Sequence, residues 1–538
     1  MTGASIDNDP MLLPDAGHAI ERLRKAIRED ELIAVYGDFD VDGVTASAIL
    51  IECLRELGGR VEPYIPDRFS EGYGVNVAAI DLLGQKGVRV IVTADCGTSS
   101  VDEVEHAGGL GIDTIIVDHH TVPPRLPEAV AIVNPKRADN RYPETELASG
   151  GLAFRLMEAL YEAEGRNWRS ERYLDLVALS TVCDMAPLRG ENRSLVRKGL
   201  EAISNTTRPG LQALMEASGV DPAGVDADSI GYSLGPRLNA AGRLAHARLS
   251  LDLLMETDVD AARRRAQELT ALNKQRQDAT TRALNLAREL LTEVDDSERL
   301  IFVGHPDIPS GIVGLVAGRL TQEHYLPSIV YERGESTSRA SCRSIPEFDI
   351  TEALRRHSEL MIRFGGHRAA AGFTAENGKL NALKEAISAE ASEALGGIDL
   401  TPVIDVDAAI PLHRVDGGLI RLIAQMAPFG QENPMPTFLS RDLEVVDVRV
   451  LGQDGDHLRL KLRDRSGSKR GVTWPAIAFS VGADRIAELD LKTGQRYDVV
   501  YSFSADRGSN GGLELMVRDL APTSVAVPAV EVGTGGSL

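Results

Sequence analysis

The chain has 538 residues, with 80 Asp and Glu against 58 Lys and Arg, so its formal net charge is −22 and its pI is near 5.0. This balance argues against a surface that binds nucleic acid everywhere, because phosphate binding needs a local excess of Lys and Arg, but it permits a local basic path. A hydrophobic fraction of 43% and 51 glycines are close to globular averages, which excludes collagen-like and wholly disordered classes.

Neither an export signal nor a membrane span is predicted. The first residues contain no basic segment followed by an apolar one, and no run approaches about 18 uninterrupted apolar residues. Four widely separated cysteines form neither a CxxC metal pair nor a dense disulfide framework. We therefore expect a cytoplasmic, monomeric protein with no membrane association.

In chain order, a polar leader is followed by apolar runs that alternate with helix-length stretches. The strand-like runs are 32–38, 61–65, 87–95, 113–120 and 130–135, and the first helix is expected over 44–57. This alternation is typical of a doubly wound parallel sheet, in which ligands bind beyond the carboxyl ends of the strands. Residues 148–225 have helical periodicity, whereas GYSLGPRLNAAGRL (231–244) is predicted to be a loop.

One long helical stretch over 258–293 leads into a second alternating region. This region begins with a strand over 299–305 and contains the turn-rich ASCRSIPEFD segment. Gly396 and Gly397 mark a boundary, after which short strands separated by turns predict a small barrel or sandwich.

The predicted fold class is α/β, with a parallel-sheet domain joined by a long helix to a second, smaller α/β domain, and a C-terminal OB-like β-barrel. The predicted boundaries are 1–30 for the leader, 31–257 for the first domain, 258–298 for the connecting helix, 299–395 for the second domain, 400–521 for the barrel and 522–538 for a loose tail.

The segment GDFDVDG places Asp38, Asp40 and Asp42 where a strand gives way to a helix. Crowded carboxylates repel one another and destabilise a fold unless cations lie among them, so a hard divalent ion is the natural partner. A calcium loop of the EF-hand type fails, because its twelfth position is Ile49 instead of Glu and a strand precedes it. A solvated acidic turn remains the alternative for this segment taken alone.

Further candidate ligands end other predicted elements. Asp95 follows one strand, the Asp118-His119-His120 run ends another, and Asp184 follows an apolar helix. Carboxylate and imidazole together suit Mn²⁺ or Mg²⁺, whereas the neighbouring Cys96 and Cys183 are interpreted as packing residues.

GDFDVDG, TADCG, DHH and VCDM resemble, in order and spacing, the motifs of the DHH phosphoesterase family. The later segments SLGPRLNAAGRL, SGIVGLVAGRL, SCRSI, FGGHRAAAGF and PFGQENPMPTF resemble those of its single-strand-specific exonucleases. The resemblance covers about residues 31–521.

The resemblance implies two divalent cations, Mn²⁺ or Mg²⁺, with Asp95 as a bridging ligand and His120 facing the scissile phosphate. The implied ligands are Asp38, Asp40, Asp42, Asp95, His119 and Asp184. One departure is Tyr36, which stands where many relatives have His two residues before the first Asp, and which leaves open whether Asp38 serves instead.

Candidate substrate contacts lie in three glycine-rich or serine-rich segments, since such turns expose backbone N–H groups and Arg pairs with phosphate through two donors. They are Arg237, Asn239, Arg243, Ser341, Arg343, Ser344, Gly365, Gly366, His367 and Arg368. Each also has a simple alternative as a solvated side chain or a turn. We expect these basic residues to line a narrow path while the acidic outer faces repel duplex DNA.

The function implied is a metal-dependent exonuclease that degrades single-stranded DNA in the 5′ to 3′ direction in DNA repair and recombination. Two alternatives are a phosphodiesterase acting on short oligonucleotides or cyclic dinucleotides, and a non-catalytic DNA-binding scaffold of replication. Because the chain has no GxxxxGK[ST] phosphate loop, strand unwinding would require a separate helicase, and a single-strand-binding protein is a further expected partner.

Overall fold

A computed structural model of the chain describes residues 8–72, 74–291, 298–452, 457–466, 471–479, 491–505 and 513–523, together with Val481, Ile486 and Leu489. The chain divides into two compact units, one ending at Pro402 and the other beginning at Val403. The first seven residues of the predicted leader, 292–297 of the predicted connecting helix, and the predicted tail after Thr523 lie outside the described residues.

The first sheet consists of five parallel strands in the order β2-β1-β3-β4-β5. The strands are β1 (Leu32–Gly37), β2 (Arg60–Tyr64), β3 (Val88–Ala94), β4 (Asp113–Val117) and β5 (Ala131–Val133). Alternate side chains of β1 enter two different hydrophobic clusters, because helices cover both faces of the sheet. The predicted doubly wound parallel sheet is confirmed, and the carboxyl ends of β1, β3 and β4 meet at one edge.

Helices surround this sheet. They are α1 (Ala16–Arg28), α2 (Val41–Glu56), α3 (Val77–Gln85), α4 (Val101–Gly109), α5 (Ser149–Ala163), α6 (Leu174–Cys183), α7 (Gly190–Ser204), α8 (Pro209–Ser218), α9 (Gly235–Leu244), α10 (Arg248–Leu254) and α11 (Val259–Leu291). Helix α1 was missed in the sequence, although Ala19, Leu23 and Ala26 follow helical spacing. All three are fully buried in the first core, so residues 16–28 pack with the first domain and are not a free leader.

Helix α11 confirms the predicted long helix over its described part. At about 1.5 Å per residue it spans roughly 50 Å. Ala262 and Leu269 pack in the core of the first domain, whereas Ala283 and Ala287 pack in a cluster with the second. One rigid helix is therefore shared by both α/β domains.

The prediction of a loop over 231–244 is wrong. Residues Ser229–Leu234 form a π-helical turn that runs directly into α9. Pro236 is accommodated because it lies in the first turn, where a missing N–H breaks no helical hydrogen bond. The glycines serve close packing instead of a loop, since a Cβ at Gly242 would lie 2.6 Å from the carbonyl oxygen of Phe39.

The second sheet has the order β6-β7-β8-β10-β9, in which β6 and β7 are parallel and the remaining pairs are antiparallel. Its elements are β6 (Ile301–His305), α12 (Val313–His324), β7 (Ser328–Arg333), β8 (Thr337–Arg343), α13 (Ile350–Arg356), β9 (Arg363–His367), β10 (Ala370–Glu376) and α14 (Leu380–Leu395).

Two predicted turns of this region are strands. The SCRSI segment begins inside β8, where Ser338, Ala340 and Cys342 are buried in alternation and thus follow a strand period. The FGGH segment is the edge strand β9. Gly366 has φ +150° there, and a Cβ on it would lie 2.4 Å from Cα of Ala371 on β10.

The unit after Val403 contains a closed barrel. Its elements are β11 (Ala408–Ala409), α15 (Gly417–Met426), β12 (Phe438–Leu451), β13 (His457–Asp464), β14 (Val472–Ala478), β15 (Arg496–Ala505) and β16 (Leu513–Pro522). The ring closes through β12-β13-β14-β16-β15, because β15 also pairs with β12. The predicted C-terminal barrel is confirmed. Within the described residues, no helix has the length and apolar character needed to cross a bilayer.

Candidate metal centre

The GDFDVDG segment turns from β1 into α2 with its three carboxylates pointing into one space. Asp40 is the N-cap of α2, and its Oδ1 accepts a hydrogen bond from the N–H of Gly43 at 3.1 Å. Asp42 lies in the first helical turn. Gly43 allows the chain to fold back on itself, since a Cβ there would lie 2.7 Å from the backbone of Asp38.

The other predicted ligands reach the same place from separate elements. Asp95 follows β3, His119 and His120 follow β4, and Asp184 caps the end of α6. Asp95 has φ +69°, a left-handed conformation that only Asn and Asp among non-glycine residues adopt with some ease. This backbone turn aims its carboxylate back across the sheet edge.

The structure brings all six predicted metal ligands, and His120, together. Three groups have ligand atoms within 4.8 Å of one another: Asp38 with Asp40 and Asp95, Asp42 with His119 and Asp184, and Asp95 with His119 and His120. The first two groups define two ends of one cluster. The third group links them, because it contains Asp95 of the first end and His119 of the second.

The protein compensates the charges in this cluster only in part. Asp38, Asp42 and Asp95 are at most 3% exposed. Burial, and then the charges of neighbouring carboxylates, raise the pKa of Asp38 and of Asp95 well above its usual range. The same causes raise the pKa of Asp184 to about 9. Bound cations would reverse these shifts.

Two buried polar atoms indicate what the site holds. Asp38 Oδ1 and His119 Nε2 have no hydrogen-bond partner among the described residues. His119 Nε2 lies 3.2 Å from Asp95 Oδ1 and 3.7 Å from Asp184 Oδ2. Unpaired atoms of this kind are costly unless an ion binds them, and this set of oxygen and imidazole donors fits Mn²⁺ or Mg²⁺.

Supporting residues were missed in the sequence. The backbone N–H groups of Ser149 and Gly150, at the start of α5, donate to the two oxygens of Asp42 at 2.8 Å each. The hydroxyl of Ser180 donates to Asp42 Oδ1 at 2.5 Å, and that of Ser149 donates to Asp95 Oδ1 at 2.9 Å. In the sequence these residues are only small residues within otherwise apolar helices, and this pattern does not indicate which carboxylate they contact.

Asp118 was named from the sequence only as part of the DHH run, with no role of its own. It accepts hydrogen bonds from His120 Nδ1 at 2.7 Å and from the N–H of Thr98 at 3.0 Å. Burial alone would lower the pKa of His120, but the hydrogen bond and charge of Asp118 raise it to about 9. His120 is therefore held in one orientation and protonated near neutral pH.

We expect Asp118→Asn to lower kcat about 10–100-fold, the usual effect of losing a partner that orients a site residue. Without the Asp118 charge the pKa of His120 falls, so the alkaline limb of the pH–rate profile moves to lower pH. Asp81→Asn is the matched control, because Asp81 forms a comparable 2.7 Å contact with His106 on an exposed surface. An unchanged pH profile in Asp118→Asn would contradict this role.

Tyr36 does not take part in the cluster. Its hydroxyl donates to the carbonyl of Gly74 at 3.0 Å and accepts from Asn76 Nδ2 at 3.1 Å, and its ring packs on Tyr64. Asp38 is the residue of this strand end that faces the other carboxylates, so the departure at Tyr36 leaves the donor set intact. Cys96 is buried, and burial raises its pKa, which keeps the thiol neutral.

Four arginines lie beside the Asp38 and Asp40 end. Burial, and then the charges of Arg68, Arg276 and Arg343, lower the pKa of Arg243 to about 10. The Arg68 guanidinium lies over the ring of Phe39 at 4.7 Å. Within the described part of the chain none of the four has a carboxylate within 4 Å. Asp38 and Asp40 offset only part of this half-buried positive charge, so the cluster suits a bound anion.

Arg243 and Arg343 were predicted from the sequence, whereas Arg68 and Arg276 were missed. Arg68 follows β2, and therefore lies at the same sheet edge as the aspartates, which is the signal that could have found it. Ser341 joins the arginine cluster, because its hydroxyl accepts a hydrogen bond from Arg343 Nη1 at 3.1 Å.

The remaining predicted substrate residues divide into two sets. Ser344 and Arg368 are engaged elsewhere, since they donate to the carbonyls of Phe348 and Pro346. Arg237 on α9 likewise donates to the carbonyl of Ser233 at 2.7 Å, and Asn239 on the same helix is half-buried. Gly365, Gly366 and His367 are exposed on the edge strand β9. The pKa of His367 is lowered by burial and by the charges of His120 and Lys136, which places it near the metal cluster.

Three family models match this chain. They are the N-terminal domain of the DHH family over residues 32–181, the DHHA1 domain over 297–393 and the RecJ OB domain over 406–519.

Curated relatives match over most of the chain. The single-stranded-DNA-specific exonuclease RecJ of Salmonella typhimurium is 35% identical over 528 residues, covering 94% of this chain and 90% of the relative. That of Bacillus subtilis is 34% identical over 516 residues, covering 95% of this chain, which spans 64% of the relative's length.

A solved structure agrees with these relatives. The crystal structure of Thermus thermophilus RecJ in complex with Mn²⁺ matches with a TM-score of 0.80 and 29% identity, over 96% of this chain and 72% of that one. The domain order and the extent of these matches lead to one conclusion. The chain belongs to the RecJ family of single-stranded-DNA-specific exonucleases.

Proposed function

We propose that this chain removes nucleotides from the 5′ end of single-stranded DNA with the help of two divalent cations, Mn²⁺ or Mg²⁺. The observation that carries the proposal is the buried cluster with its unpaired Asp38 Oδ1 and His119 Nε2. The related Thermus thermophilus structures contain Mn²⁺ in one case and Mg²⁺ in another, which supports the same metals here.

In this proposal one ion is held at the Asp38, Asp40 and Asp95 end and the other at the Asp42, His119 and Asp184 end. Bound ions would lower the pKa of an attacking water and stabilise the charge that develops on the phosphate and the leaving oxygen. Asp95, at the first end, also shares a ligand group with His119 of the second end. No protein nucleophile is required.

The residues of the chain orient the reaction. Ser149, Gly150 and Ser180 fix the Asp42 carboxylate by hydrogen bonds, so that its oxygens keep one direction. His120, protonated and held by Asp118, donates a hydrogen bond towards the scissile phosphate.

The arginine cluster decides the polarity. A terminal phosphate carries more negative charge than an internal one, and half-buried guanidinium groups with no carboxylate in direct contact suit such a group. Arg68, Arg243, Arg276 and Arg343 therefore bind the 5′-terminal phosphate, at the Asp38 end of the cluster.

Digestion of oligonucleotides tests this proposal. With Mn²⁺, a 5′-labelled single strand should release its label as a mononucleotide at once, whereas a 3′-labelled strand should shorten progressively and a blunt duplex should persist. Release of the 3′ label first would overturn the polarity, and loss of activity on every strand would overturn the function.

We expect Arg343→Lys to raise KM for a 5′-phosphorylated strand about tenfold and to leave KM for a 5′-hydroxyl strand nearly unchanged, because Lys lacks the paired donors that Arg presents to phosphate. Arg356→Ala is the control, since Arg356 is exposed and already paired with Glu390 at 3.1 Å. Equal effects on both strands would mean that Arg343 does not contact the terminal phosphate.

The two alternative functions have no supporting observation of this kind. A scaffold has no need for a complete buried ligand set, and an enzyme for dinucleotides has no need for the RecJ OB domain. We further propose a role in DNA repair and recombination, with a helicase and a single-strand-binding protein supplying the substrate. Monomeric state and cytoplasmic location stay predictions.

A further inference from the structure

Two large apolar side chains are exposed beside the metal centre. Met185, 69% exposed, directly follows the candidate ligand Asp184, and Tyr232, 81% exposed, lies in the π-helical turn before α9. They are the most exposed large apolar side chains among the described residues up to Pro402. Exposure of this kind next to a site points to a ligand with apolar faces.

The chain fixes both side chains at the same end of the centre. A Cβ at Gly235 would lie 2.4 Å from Cys183 Sγ, and one at Gly231 would lie 3.9 Å from Val182 Cγ1. The turn that carries Tyr232 therefore packs against the last residues of α6, and Asp184 and Met185 follow at once.

Neither position is explained by core packing. Met185 has φ +57°, a region that non-glycine residues rarely occupy. In the π-helical turn, Ile230 and Leu234 are fully buried, while Tyr232 between them points to solvent. π-Helical turns are rare in proteins, and many of those that occur lie at functional sites.

Helix α9 relates this end of the centre to the arginine cluster. Its first residue, Gly235, touches Cys183, and near its other end Gly242 abuts Phe39, between Asp38 and Asp40. Arg243 follows and belongs to the arginine cluster. The ten residues of α9 rise about 15 Å at 1.5 Å per residue, so Tyr232 and Arg243 lie at opposite ends of this helix.

We propose that Tyr232 and Met185 form a platform on which a base of the single strand stacks, on the 3′ side of the scissile bond. This inference rests on the proposed function, in which the arginine cluster binds the 5′-terminal phosphate at the opposite end. The occupant is an unpaired nucleobase, because its face matches an aromatic ring and a thioether, and because both side chains adjoin the centre at which the strand is cut.

The test separates stacking from folding. We expect Tyr232→Ala to raise KM for a 5′-phosphorylated single strand about tenfold with kcat unchanged, and Tyr232→Phe and Tyr232→Trp to restore the original KM. Met185→Ala should raise KM a few fold. Leu82→Ala, which removes an apolar side chain that is 43% exposed on α3, should leave KM unchanged.

Substrates with one abasic nucleotide, moved stepwise from the 5′ end, locate the platform. At one or two positions the unmodified enzyme should lose affinity, and at those positions Tyr232→Ala should cause no further loss. Equal KM values for Tyr232→Ala and the unmodified enzyme on intact strands would overturn the platform, as would an undiminished effect of Tyr232→Ala at every abasic position. Failure of the unmodified enzyme to degrade any single strand would instead refute the proposed function.

Discussion

Asp95→Asn is expected to reduce exonuclease activity on the order of a thousandfold or more, since partners that only orient metal ligands are already worth about 10–100-fold. Asp95 shares one ligand group with Asp38 and Asp40 and another with His119, so its loss affects both ends of the cluster. Asparagine is the right replacement, because it tolerates the left-handed backbone at φ +69°, whereas Ala would add strain of about 1–2 kcal/mol.

The same substitution should stabilise the protein when no metal is present. Burial and the charges of Asp42, Asp40 and Asp38 raise the pKa of Asp95, so the native metal-free state gains from losing one charge. We expect the melting temperature in EDTA to rise by a few degrees, and the increase that Mn²⁺ causes in the unmodified protein to be much smaller.

The pH dependence follows from the raised pKa values. Between the ordinary pKa of 3.8 and the raised value of about 9 for Asp184, the native metal-free state binds more protons than the unfolded state. The free energy of unfolding therefore falls as pH rises through this range, and less steeply in Asp95→Asn. If Asp95→Asn were less stable in EDTA than the unmodified protein, repulsion between the carboxylates would not be what destabilises the metal-free state.

Asp175→Asn provides the control for burial. Asp175 is also a buried carboxyl group, 4% exposed, but it contacts Thr206 and Arg208 away from the metal centre. Its replacement should leave the Mn²⁺-induced rise in melting temperature and the activity in place. Loss of both in Asp175→Asn would mean that any buried substitution in this domain abolishes activity.

A residue of this site could be predicted from the sequence when the local pattern showed both its chemistry and its place at a strand end. Asp38, Asp95 and His119 were predictable, because each ends an apolar strand and parallel strands end at one edge. Ser180 was not, since it lies within an apolar helix and its sequence does not indicate a partner. Arg68 could have been found only from its place after the strand β2, because no motif surrounds it.

The wrong predictions have a common physical cause. Glycine favours turns in isolation, but in 231–244 and in the FGGH segment it provides close contacts that a larger residue would prevent. Close approach between elements is a tertiary property, and local sequence does not reveal the partner. The parallel sheet and the barrel were predictable because their signals, strand-length apolar runs and turn spacing, are local.

Gly311→Ala is expected to reduce kcat/KM on single-stranded DNA about a hundredfold, through geometry alone. A Cβ at Gly311 would lie 2.2 Å from the carbonyl oxygen of Arg243. Backbone atoms cannot move aside cheaply, so α9 and the start of α12 must separate by about 1 Å, a displacement that can cost a hundredfold when reacting groups lose alignment. The two α/β domains would then hold the arginine cluster and the metal centre in the wrong position relative to each other.

Gly318→Ala is the matched control, in helix α12, which follows Gly311. Its Cβ would lie 4.0 Å from Arg343 Cγ, an ordinary contact, so no neighbouring atom has to move. Alanine also favours the helix by about 1 kcal/mol over glycine, so this variant should be at least as stable and lose no more than a few fold in kcat/KM.

Metal binding distinguishes the cause of the Gly311→Ala defect. All candidate metal ligands belong to the first domain, so Mn²⁺ should raise the melting temperature of Gly311→Ala as it does for the unmodified chain. Activity lost together with the Mn²⁺ effect would indicate damage to the first domain itself. Activity lost while the Mn²⁺ effect persists would show that the relative position of Arg243 and Arg343, and not the metal centre alone, determines whether the strand is cut.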